Sequence, residues 1–110
     1  MILEQPQNLR VGLPLDAIAE LCRRYAVEEL SVFGSALRND FRGDSDIDFL
    51  VRFQNNDAGD WAYKYTELER ELSLLLSRKV DVVSRASVEE SENYLRRRHI
   101  LNSAKTVYVA

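Results

Sequence analysis

Apolar and polar residues alternate most cleanly in DIDFLVRF, Asp46 to Phe53, where Ile47, Phe49, Val51 and Phe53 take every second position. Period two predicts a strand with one face in a core. It also puts Asp46 and Asp48 together on the opposite face, with Cα atoms roughly 7 Å apart. LSVF, Leu30 to Phe33, is short, apolar and β-prone and predicts an earlier strand; KVDVVS, which carries Asp81, predicts a later one; TVYVA predicts a last strand at the sheet's edge. Helical spacing fills the gaps. Leu15, Ile18, Leu21, Cys22 and Tyr25 fall on one face of LDAIAELCRRYAV, which Pro14 opens. After the polar loop QNNDAGD (54–60), Trp61, Tyr65, Leu68, Leu72, Leu75 and Leu76 mark a second helix. A third is expected in SVEESENYLRRRHILNSAK, with Ser87 and Glu90 reading as a capping box. Residues 1–12 read as a loose leader and 13–110 as one domain. The expected class is α+β: a mixed sheet of three or four strands, with helices mainly on one face and the other left open.

Three acids and one turn carry the candidate chemistry. Asp46 and Asp48 repel each other on a sheet surface, and a divalent cation between them is the simplest remedy. Gly34-Ser35 falls where the first strand ends and the chain turns toward a short helix, so backbone donors are exposed there. Glycine permits close approach of the main chain, and the serine hydroxyl with nearby N–H groups can hold phosphate oxygens. A triphosphate reaches an acidic site only if Mg²⁺ bridges carboxylate and phosphate oxygens. The third acid, Asp81, lies beyond a strand, helix, strand crossover. That connection returns a parallel strand near the first, and puts Asp81 on the carboxylate face if Val80 and Val82 point inward. A calcium loop is excluded: Asp44, Asp46 and Asp48 have the spacing, but Phe49 replaces the glycine at its sixth position and Asn55 the glutamate at its twelfth.

Gly34-Ser35, ten intervening residues and Asp46-Ile47-Asp48 resemble the signature of the DNA-polymerase-β-like nucleotidyltransferase superfamily, in particular its minimal nucleotidyltransferases. Arg38, Asp44 and Ser45 match the usual spacing within that segment, and Asp81 matches the third acid in a V-D-V strand. The likeness covers residues 15 to 83 well and the remainder in its helix-then-strand outline. Ala36 stands where arginine is common and Asn39 where glycine is common. The resemblance implies a polymerase-β-like nucleotidyltransferase fold and transfer of a nucleoside monophosphate, AMP from ATP, to a hydroxyl with release of pyrophosphate. It implies that Asp46 and Asp48 hold two Mg²⁺ ions, that Asp81 completes the second ion's shell and helps activate the acceptor, and that Gly34 and Ser35 hold the β and γ phosphates. Arg38, Ser45 and, more remotely, Arg42 are further candidates for the nucleotide. Small members of the family resemble antitoxins paired with HEPN-type ribonuclease toxins, where adenylylation of a toxin tyrosine silences it. Such a toxin is the implied protein partner.

Composition narrows the field. In 110 residues there is room for one modest core and none for a separate substrate-binding domain, so the acceptor comes from elsewhere, and a small-molecule pocket would need a homo- or hetero-oligomer. No apolar stretch approaches a membrane span and MILEQPQNLR lacks the apolar core of a signal peptide, so the expected location is the cytoplasm. Cys22 has no disulfide partner and is expected in the core. A net charge of -3 with a pI near 5.2 argues against a nucleic-acid scaffold. Arg96, Arg97, Arg98 and His99 are a local exception: a solvated face complementing a helix C-terminus, a phosphate contact, or a dock for an acidic partner. His99 has no second nitrogen or sulfur ligand nearby for a metal. Three functions stay open: an enzyme modifying a protein hydroxyl, a non-catalytic protein that occludes a partner, and an adenylyltransferase of small molecules such as antibiotics.

Overall fold

A computed structural model of the protein describes residues 12–37, 46–54 and 61–110. Four strands, β1 (Val27–Phe33), β2 (Ile47–Phe53), β3 (Val80–Ser84) and β4 (Lys105–Val109), form one sheet in the order β3-β2-β1-β4. β1 runs antiparallel to both β2 and β4, whereas β2 and β3 are parallel. The crossover through α2 (Trp61–Leu76) therefore returns β3 beside β2, and TVYV closes an edge as the pattern predicted. The mixed α+β class stands.

The larger core lies on one face. Ile47, Phe49, Val51 and Phe53 of β2 meet Ile18 and Cys22 of α1 (Leu15–Arg24), Leu68 and Leu72 of α2, and Val27, Leu30 and Val32 of β1. Val80 and Val82 of β3 join them, which is the inward pair the parity of that strand required. Cys22 is fully enclosed, and burial pushes its thiol up to about 12. α2 also ties down β3, an edge strand: the N–H groups of Val80 and Val82 donate to Ser73 Oγ (3.2 Å) and Glu69 Oε2 (2.9 Å). Those two donors are thereby withdrawn from any foreign strand.

Short helices cover part of the other face. Phe33 and Leu50 meet Val88 of α3 (Arg85–Glu89) and Ile100 of α4 (Tyr94–Ser103), with Val83, Leu101 and Ala104 packed around them. β1 is thus buried on both sides, and its one buried polar side chain, Ser31, shares a hydrogen bond with Thr106 of β4 (3.1 Å).

Three local expectations are corrected. The first helix ends at Arg24 rather than running through Val27, because Ala26 takes a left-handed conformation (φ 57°); β1 then begins at Val27, three residues before Leu30. Gln54 N–H donates to the carbonyl of Ala26 (2.8 Å), so the end of β2 holds this turn. The capping box at Ser87 and Glu90 does not form. Ser84 caps α3 by accepting from Ser87 N–H, α3 stops at Glu89, and Asn93 caps a separate α4 by accepting from Arg96 N–H. In α2, Leu75 is on the exposed side, while Leu68 and Leu72 are the residues that reach the core.

Candidate active site

The site assembles where β1 ends and β2 and β3 begin. Phe33, the last residue of β1, is level with Asp48 of β2, and Asp48 is level with Asp81 of β3. In-register residues of adjacent strands share a face, and neighbouring strands lie about 4.8 Å apart. Ile47 and Val80, also in register, turn into the larger core, so Asp48 and Asp81 stand together on the opposite face. Both are half-buried.

Gly34 completes this arrangement by having no side chain. It opens the 3₁₀ turn Gly34–Leu37 in the left-handed region, at φ 78°. A Cβ there would stand 2.5 Å from Asp48 Oδ2. The Asp48 carboxylate therefore lies against the turn that follows β1, within the space any larger residue would fill. The glycine predicted to let a phosphate approach also clears room for an acid.

Asp46 sits just before β2, at the rim. Ile47 N–H donates to the carbonyl of Lys79 (3.1 Å), which levels the starts of β2 and β3, and Lys79 Nζ lies 3.7 Å from Asp46 Oδ2. Lys79 was missed from sequence. Its spacing ahead of Val80-Asp81 is the available signal, but its pairing depends on the strand register. Being exposed, the pair is weak and readily displaced.

The donor set can be weighed against a metal. Among the described residues no three histidine, cysteine or acidic side chains are gathered tightly enough to cage an ion. Asp48 and Asp81 are neighbours, with Asp46 at the rim two residues before Asp48. Two carboxylates suffice for Mg²⁺, which keeps several waters and takes its remaining ligands from substrate phosphates. Hard oxygen donors on an accessible face therefore fit magnesium, and they do not suit a metal that prefers sulfur or imidazole.

The far end of this face is closed by ion pairs. Arg52 donates to Glu89 Oε1 (2.6 Å), and Arg85 contacts Glu29 (3.2 Å) and Glu89 (3.5 Å), strapping α3 to β1 and β2. The Glu89 hydrogen bond raises the Arg52 guanidinium further above its ordinary value. Arg52 follows Asp48 and Leu50 on the same side of β2, so one strand face runs from acid through apolar to base. Of the remaining expected nucleotide residues, Ser35 has its backbone in the 3₁₀ turn, but its side chain lies outside the described residues, as do Arg38, Arg42, Asp44 and Ser45 altogether.

The nucleotidyltransferase domain family matches residues 16–107. The chain is 40% identical to the protein adenylyltransferase MntA of Thermococcus cleftensis over 70 residues, which are 64% of this chain and 68% of the relative. It is 41% identical to a candidate protein adenylyltransferase of Methanocaldococcus jannaschii over 69 residues, 63% of this chain and 67% of that one. A solved candidate minimal nucleotidyltransferase superposes with a TM-score of 0.63 at 33% identity, covering 83% of this chain and 86% of its own. A toxin-antitoxin structure with AMP-PNP gives a TM-score of 0.65 over 89% of this chain and 75% of that one; at 21% identity the likeness is one of fold. No described helix is long and apolar enough to cross a membrane.

Proposed function

Since this chain belongs to the nucleotidyltransferase domain family, we propose that it transfers AMP from ATP to a hydroxyl of a partner protein, with Mg²⁺. The acceptor is a tyrosine of a HEPN-type ribonuclease, and the transfer neutralises it. One observation carries the reading: Asp48 and Asp81 are level on adjacent parallel strands, with Asp48 pressed against the backbone of Gly34. The Asp48 carboxylate then stands at the turn that opens at the end of β1, with Asp81 beside it on the next strand. The relatives named for protein adenylylation support a protein acceptor, and the toxin-antitoxin neighbour with AMP-PNP, alike in fold, supports ATP and a toxin partner.

Asp46, Asp48 and Asp81 would hold the magnesium, which when bound neutralises triphosphate charge and acts as a Lewis acid toward it. The chain's own groups do the rest. The turn at Gly34-Ser35 receives phosphate oxygens at its exposed backbone donors. Asp81, on the edge strand and so the outermost of the level pair, accepts the proton of the incoming hydroxyl through a carboxylate oxygen. Arg38 and Ser45 contact the phosphates. The partner covers this face and excludes water, which the chain's own short helices do only in part.

Incubation with α-labelled ATP, Mg²⁺ and a purified HEPN-type protein tests the reading. Label is expected on a tyrosine of that protein, with none when Asp48→Asn is used. A partner neutralised without label, equally by wild type and Asp48→Asn, would replace transfer with occlusion.

A further inference from the structure

We propose that the solvent face of α4 is where the acceptor protein docks, and that the acceptor meets it with carboxylates around an apolar patch. The inference rests on the reading above for the identity of the acceptor, but on separate residues for its evidence. Elsewhere among the described residues five arginines pair with acids: Arg23 with Glu20, Arg24 with Glu71, Arg70 with Glu67, and Arg52 and Arg85 with Glu89. On α4, Arg97 donates to the carbonyl of Ser91 and lies over the Tyr94 ring. Arg96, Arg98 and His99 are exposed, and among the described residues none of them makes an ion pair.

Helix electrostatics does not account for these charges. Cations favour a helix's last turn, whereas Arg96, Arg97 and Arg98 occupy the first half of α4 and its last turn holds no base. Their placement opposes the helix dipole, so it is not there to stabilise α4. Next to them, Tyr94 and Leu95 are exposed at 55% and 75%. An exposed tyrosine among arginines is the composition of a protein-protein anchor, and exposed Leu95 adds apolar area to it. Leu95, Arg98, His99, Asn102 and Ser103 line a shallow, open depression along the helix.

Position selects the occupant. Ile100 seats α4 on Phe33 and Leu50, beside Asp48 on the same face of the sheet, so a macromolecule offering a hydroxyl to Asp48 and Asp81 meets α4 as well. A protein is favoured over RNA. Exposed Leu95 offers apolar area that a protein side chain buries and a phosphate backbone does not, and at -3 the chain lacks the broad basic surface that nucleic-acid binding calls for.

The test uses the purified HEPN-type protein as probe, titrated calorimetrically into wild type, Leu95→Ala and the double variant Arg96→Glu/Arg98→Glu. All three positions are exposed, and thermal melting checks that the variants fold. Affinity is expected to fall at least tenfold in the double variant and severalfold in Leu95→Ala. In label transfer, KM for the protein should rise in step while kcat at saturation and ATP uptake hold. Wild-type affinity in both variants, with transfer still abolished by Asp48→Asn, overturns the docking surface and leaves the transfer reading standing. Weakened binding by the α4 variants, with no label transferred even by wild type, supports the surface and sinks the transfer reading. Failure of wild type to bind the protein overturns the surface, as does tighter binding of a 20-nucleotide single-stranded RNA that the double variant loses.

Discussion

The two faces of this sheet differ in what they are filled with. On one, α1 and α2 seal Ile47, Phe49 and Val51 into a continuous apolar core. On the other, α3 and α4 contribute a small cluster around Leu50, and the remaining space goes to Asp48, Asp81 and an ion-paired strap at Arg52. Adjacent residues of β2 alternate between these environments. The strand period thereby separates core residues from candidate site residues one by one, and a substitution can reach one face while sparing the other.

The sharpest contrast is between neighbours. Phe49→Ala should cost about 3–5 kcal/mol and leave little folded protein, whereas Leu50→Ala, in the smaller cluster, should cost about 2–3 kcal/mol, nearer the low end for a buried leucine. Urea melts of both variants check the order; equal costs would erase the distinction between large and small core. Gly34→Ala follows. The left-handed backbone sets its stability cost near 1 kcal/mol, and the new Cβ displaces the Asp48 carboxylate, so transfer should fall at least tenfold while most of the protein stays folded. Full activity in that variant would mean the carboxylate's position against the turn is immaterial.

Cys22 reports on the sealed face through pH. In the unfolded chain its thiol ionises near 9, and in the folded chain at about 12. Below pH 9 both states keep the proton and this group adds no pH dependence. Above it the unfolded chain loses a proton that the folded chain keeps, so stability should decline as pH rises from 9 toward 12, and Cys22→Ala should flatten that decline. A folded protein whose thiol reacts with a disulfide reagent at pH 8 as fast as the unfolded one would show that this face opens. The smallest effect is expected at the strap: Arg52→Ala should cost under about 1 kcal/mol, as a partly exposed pair does, and less in high salt. A loss of several kcal/mol in urea melts would make the strap part of the core.

Most of this division was legible in the chain. The alternation of DIDFLVRF separates the faces, and a crossover helix followed by V-D-V is enough to bring Asp81 level with Asp48, because parallel strands joined that way lie side by side. What escaped were breaks without glycine or proline. Tyr25, Ala26 and Val27 continue the helical spacing of α1, and only Ala26's left-handed backbone, set by its contact with Gln54, ends it. The division of the last helical stretch was masked likewise, though Ser84 and Asn93 were available as caps. Lys79's pairing and the clearance at Gly34 depend on how three strands align, which no local pattern encodes. The open face expected from sequence is in part roofed by α3 and α4; in α4, Tyr94 and Leu95 are exposed while Ile100 is buried, so its apolar residues are not confined to one side and gave little helical periodicity to read.

Calorimetric titration of ATP into the wild-type protein and Asp48→Asn, each with Mg²⁺ and with EDTA, tests the assignment of chemistry to the Asp48 face most directly. Binding is expected only for wild type with Mg²⁺, with both proteins melting at similar temperatures. Equal ATP binding in EDTA, or by Asp48→Asn with Mg²⁺, would contradict it.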